Sequence, residues 1–78
     1  MKSIPLGSAK FVVCLQNEGY EVSLEVRKIY QLLPDSDAAA HQMLRVIDES
    51  GEDYLFPQNM FEPIDPPERV VEIFKQAA

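Results

Sequence analysis

A side-chain nucleophile needs a base within hydrogen-bond reach and a third group that orients that base. The chain offers one histidine, His41, one cysteine, Cys14, and the nearby Ser50 and Asp53, and no spacing among them selects a catalytic set. Cys14 lies in the apolar run "FVVCL", where nothing local lowers a thiol pKa, so it reads as a small buried side chain. His41 reads as a surface histidine in a polar loop. Carboxylates are plentiful in "DESGED", Asp48 to Asp53, but acid–base pairs need burial to separate their pKa values, and a tight turn is wet. The same run lacks the D-x-[DN]-x-[DN]-G spacing and distal glutamate of a calcium loop. One cysteine and one histidine cannot close a structural zinc site within a single chain. The expectation is a non-enzymatic protein with no catalytic residues, no metal and no cofactor. A small-molecule enzyme ranks third, behind two binding readings.

The remaining candidates are apolar. Tyr30, Tyr54, Phe56, Met60 and Phe61 can line a shallow binding groove or form a core with its rim, the tyrosine hydroxyls reaching water. Whatever positions them has to be small: 78 residues make one domain with one thin core. No apolar run approaches the length of a membrane span, and "MKSIPLGSAKF" breaks at Pro5 and Gly7 before an apolar segment develops, so neither membrane insertion nor a secretory signal is expected. A lone cysteine argues for a reducing, cytoplasmic setting. The net charge is −6, and residues 31–65 hold eight acids against Arg45 alone, which would repel a phosphate backbone. Nucleic acid is excluded as a partner on that ground, and the acids read as a solvated rim that steers basic partners.

The elements follow from periodicity. "KFVVCLQ" is a short β-branched run that suits a buried strand, stopped by the turn Asn17 to Gly19. In "YEVSLEVRKIYQLLP", Val22, Leu24 and Val26 alternate with acids and serine, a period of two that blurs at Arg27 and Lys28, where a bend or bulge is expected. After Pro34, Asp35 or Ser36 can cap one helical turn through the alanines of "DSDAAAHQ". Met43 to Asp48 and Tyr54 to Pro57 flank "ESGED", with Gly51 supplying the positive φ of a tight hairpin. Finally "DPPERVVEIFKQAA" predicts a short amphipathic helix with Asp65 as N-cap, the prolines in its first positions, and Val70, Val71, Ile73, Phe74 and Ala77 on its apolar face.

Between hairpin and helix lies "YLFPQNMFEPI", an apolar run holding Pro57 and Pro63. It resembles the end of a Src-homology-3 barrel, where a fourth strand meets a proline, makes one turn of tight helix containing an asparagine, and continues as a short fifth strand. Pro57 and Asn59 match that pattern, and the "ESGED" hairpin and the polar "DSDAAAHQ" connection fall where the barrel would have them. The resemblance spans residues 10–64 in element order. Met60 stands where the family has a groove tyrosine and the chain has no tryptophan, so the aromatic slots for proline-rich ligands are missing. The stretch from "LEVRKIYQLLPDS" to "RVIDESGEDYLFPQNMFEPI" is also similar to short bacterial proteins of unknown function, a resemblance that implies a small barrel and no assigned activity.

The expected fold is therefore mainly β: a small SH3-like antiparallel barrel of about five strands over residues 10–64, with a tight-helix turn before the last strand. Residues 1–9 form an N-terminal extension and 65–78 a short C-terminal helix. Two functions fit. The first is a module binding a protein or peptide through Tyr30, Tyr54, Pro57, Asn59 and Met60. The alternative is self-association or partner docking through the apolar face of the helix.

Overall fold

The hairpin around Gly51 is built as its local chemistry requires. In the computed structural model, which describes residues 2–76, Gly51 has φ 84° and joins two five-residue strands that pair from Met43 with Pro57 to Ile47 with Asp53. In chain order the strands are β1 (Lys2–Ser3), β2 (Phe11–Cys14), β3 (Ile29–Leu33), β4 (Met43–Ile47), β5 (Asp53–Pro57) and β6 (Phe61–Asp65), and the helices are α1 (Ser36–Ala40) and α2 (Glu68–Gln76). All strand pairs are antiparallel, in the spatial order β1-β6-β2-β3-β4-β5. The sheet does not close: β1 and β5 remain its two edges, so the expected barrel is an open one. The two-residue β1, opposite Asp65 and Ile64, has no counterpart in the sequence reading.

A single strand links the two halves of the sheet. Ile29 to Gln31 of β3 pair with β2, whereas Leu32 and Leu33 pair with β4. The halves fold over one core of Val12, Cys14, Leu24, Tyr30, Leu44, Val46, Phe56, Met60 and Phe61. Alternation sends the neighbouring residues of β2 and β6 to the other face. There Phe11 and Ile64 stand opposite each other and are buried, with the Phe74 ring of α2 5.0 Å from that of Phe11. The C-terminal helix is thus docked on its own sheet through Phe74, with Val70 and Val71 half-buried and Ile73 exposed. Ala77 lies outside the described residues.

Two local expectations change. Asp65 does not cap the helix. It is held in β6 opposite Lys2, and α2 begins after Pro67, whose carbonyl accepts the Val71 N–H at 3.2 Å. Nor do residues 20–26 extend a strand. Leu24 is buried, but Val22 is 95% exposed, because Ser23 and Leu24 both donate to the Tyr20 carbonyl and curl the chain. The expected irregularity at Arg27 and Lys28 is present: Cys14 faces two residues, donating to Lys28 and accepting from Arg27, and Arg27 takes up the extra length at φ 72°. Asp35 caps α1 as expected, its carboxylate accepting the Ala38 N–H at 3.0 Å.

Pro63 keeps its place inside β6 by geometry. Its carbonyl accepts from Ile4, so its nitrogen also faces the short β1 side, and the ladder to β2 loses nothing.

Candidate functional site

The proline turn positions the site. Pro57 ends β5 at φ −59°, the backbone makes one 3-10 turn over Gln58–Met60, and Phe61 resumes an extended path. Proline suits this exit because its φ is already fixed and its backbone groups face the outer edge, so the β4 ladder loses no donor and Gln58 makes its next bond, to Gln42. The turn carries Met60 inward and leaves Asn59 exposed. It is anchored by Gln58 donating to the Gln42 carbonyl at 2.9 Å and Leu15 donating to the Met60 carbonyl at 2.7 Å.

Beside the turn is a cleft of about 600 Å³. Its floor is apolar, from the buried Leu44 and Phe61. Pro57, Pro63 and Leu6 form its walls, and Gln42, Gln58, Asn59 and Glu62 supply its polar atoms. Gln42, between α1 and β4, sits in the left-handed region at φ 57°. A primary amide both donates and accepts, so these side chains can match a peptide backbone in either polarity. Among the described residues the lining holds no histidine, cysteine, serine or lysine, and Glu62 contributes a carboxylate.

The five expected binding residues divide three ways. Pro57 and Asn59 line the cleft. Met60 and Tyr30, 6% and 3% exposed, are packed in the core, and Tyr30 also borders a recess with Lys28 and Glu49, away from the cleft. Tyr54 is 49% exposed at the other end of β5, where it lines a separate recess with Tyr20 and Asp48. Gln42, Gln58 and Leu6 escape the sequence reading because isolated amides and a lone leucine carry no motif. The only local pointer is that Gln58 adjoins Pro57.

Elsewhere, potentially reactive groups are committed to structure. Burial pushes the Cys14 thiol upward, away from the reactive thiolate. Burial, and then a hydrogen bond to Glu49, raises the Tyr30 hydroxyl pKa, so it stays protonated. That hydroxyl donates to the Glu49 carboxylate and accepts the Glu25 N–H at 2.7 Å. Lys28, 2.6 Å from Glu49, is the main cause of that carboxylate's lowered pKa. Exposed His41 has its Nδ1 2.9 Å from the Asp37 carbonyl oxygen. Among the described residues no group of three histidine, cysteine or acidic side chains is placed to hold a metal, and no helix is long and apolar enough to cross a membrane.

Comparison of the chain with known protein families, with curated proteins and with solved structures finds no match.

Proposed function

We propose that the protein is a small SH3-like, non-catalytic binding module whose ligand is a protein segment or peptide held in the cleft beside the proline turn. The strand order β6-β2-β3-β4-β5, with a 3-10 turn between β5 and β6, supports the SH3-like description. The observation that carries the functional reading is the lining itself: an apolar floor of Leu44 and Phe61 under a rim of amides and the Glu62 carboxylate. Such a surface gains from burying apolar side chains and satisfies a peptide backbone. The lone buried Cys14 fits a reducing, cytoplasmic setting. Helix α2, seated through Phe74, belongs to the module and serves it as a buttress rather than as a free docking arm.

The test is a screen of immobilised extended peptides, followed by titration of the best binder into isotopically labelled protein. The side-chain amide resonances of Gln42, Gln58 and Asn59 should move, and Asn59→Ala, an exposed change, should weaken binding about fivefold through one lost hydrogen bond. Binders that treat the variant and the parent alike would remove the cleft from consideration.

A further inference from the structure

Among the described residues, strand β5 has a partner on one side only. Asp48 donates to the Glu52 carbonyl at 3.0 Å and Gln58 to the Gln42 carbonyl at 2.9 Å, which fixes the phase of the ladder. Even-numbered residues turn their backbone groups toward β4, and Asp53, Leu55 and Pro57 turn theirs to the outer edge. That edge therefore presents an N–H and a carbonyl from Asp53 and from Leu55, and from Pro57 a carbonyl only. Leu55 is 41% exposed and Tyr54 49%.

Against the edge lies a recess of about 360 Å³ lined by Tyr20, Tyr54, Phe56, Asp48, Ser23 and Ser50, with Leu55 at its border. Tyr54 pairs with the fully buried Val46, so its side chain is on the inner face of the sheet. A residue of an added strand standing opposite Tyr54 would project to that face too, into the recess. The recess combines two tyrosine rings with a carboxylate and contains no cation. The neighbouring cations are engaged elsewhere: Lys28 with Glu49, and Arg45 with Asp35 and Asp53.

We propose that the β5 edge accepts a strand from another protein: an extended segment whose residue opposite Tyr54 is arginine or lysine and fills the recess. Main-chain bonds to Asp53 and Leu55 hold the segment, and the cation over tyrosine faces beside Asp48 selects it. A second copy of this chain fits less well. Two-fold pairing about Leu55 sets Asp53 opposite Pro57, which has no N–H for the Asp53 carbonyl, and brings together two molecules of net charge −6. The edge recess lies at the Asp53–Leu55 end of β5 and the cleft at its Pro57 end, so the two surfaces stand independently.

The experiment uses short blocked peptides of alternating threonine and valine with a central arginine, or with glutamate in its place, titrated into labelled protein. With arginine, the Asp53 and Leu55 amides should shift and gain protection from exchange. The glutamate peptide should bind roughly tenfold more weakly, and Tyr54→Ala should erase that preference. Leu55→Pro deletes an outward N–H and should abolish binding. As a control that needs no protein variant, the arginine peptide N-methylated at the residue facing Leu55 should also fail to bind. Absence of binding, indifference to arginine, or binding that leaves Asp53 and Leu55 unmoved overturns the proposal, and so does concentration-dependent movement of those amides without peptide. Shifts confined to Gln42, Gln58 and Asn59 overturn the edge and leave the cleft standing, whereas shifts confined to Asp53 and Leu55 support the edge, the cleft being judged by its own screen.

Discussion

The Tyr30 hydroxyl donates to the Glu49 carboxylate and thereby ties β3 to the hairpin turn that follows β4. The same oxygen accepts the Glu25 N–H, and Glu49 in turn donates its backbone N–H to Ser23 at 3.0 Å. One buried phenol thus fastens the long 15–28 loop to the opposite half of the sheet. Tyr30→Phe keeps the ring and orphans the Glu25 N–H, so a loss of about 1–2 kcal/mol in urea unfolding is expected. The variant should also show faster amide exchange across residues 20–26. Parent-like stability would mean the loop is held by other contacts.

The raised pKa of Tyr30 has a signed consequence. An unfolded tyrosine ionises near pH ~10, while the folded one resists, so stability present below that value is lost as pH rises above it. The parent should lose melting temperature above about pH 10 more steeply than Tyr30→Phe. Superimposable alkaline limbs would show that Tyr30 carries no such linkage.

At the acid end, the Ala38 N–H and then Arg45 hold the Asp35 carboxyl below its ordinary range, and Lys28 and then Tyr30 do so for Glu49. A depressed folded pKa means the stabilisation is fully present above the unfolded value, near pH ~4, and is lost as pH falls through the folded one. Asp35→Asn should keep the cap of α1 and flatten the acid limb of a melting-temperature profile. An unchanged limb would contradict the linkage.

At Gly51, with φ 84°, no described atom beyond its own chain neighbours lies within 4 Å of where a Cβ would stand, so substitution meets only backbone strain. Gly51→Ala should cost about 1 kcal/mol by denaturant midpoint, whereas Gly7→Ala, also in open space but without a positive φ, should be near neutral. Equal effects at the two sites would refute the turn argument.

Helix α2 separates packing from solubility. Phe74→Ala removes the ring that rests on Phe11 and should destabilise by about 1–2 kcal/mol, while Ile73→Ala, at a position 65% exposed, should be silent. The reverse order would mean that the helix packs on the sheet through Ile73 rather than Phe74.

What could be read from the chain was whatever its local chemistry settles. Gly51 allows one backbone shape that alanine resists, Pro57 fixes the φ with which the chain leaves β5, and Asp35 caps because its oxygen reaches the Ala38 N–H. Long-range packing settled the rest. The alternation of Val22, Leu24 and Val26 looked like a strand, but with Arg27 at positive φ and the Tyr20 carbonyl drawing in Leu24, only Leu24 found the core. Tyr30 and Tyr54 are the same residue type in similar surroundings along the chain, and only the partners across the sheet decide that one is buried and the other exposed. The cleft needed residue 42 beside residue 58, a meeting that neither amide announces.

The division of β3 between two partners governs how the chain can assemble. The β4–β5 hairpin closes a loop of a few residues, whereas pairing β2 with β6 joins residues 11–14 to residues 61–64 across more than half of the chain. Loop-closure entropy therefore favours the hairpin as the early structure, with β3 adding through Leu32 and Leu33 and the β2–β6 seam sealed last. Substitutions near Gly51 should slow refolding, and those at Phe61 or Ile64 should mainly hasten unfolding. The last-sealed seam is also the one buttressed by Phe74, so the docked helix would act chiefly as a brake on unfolding and extend the lifetime of the folded state.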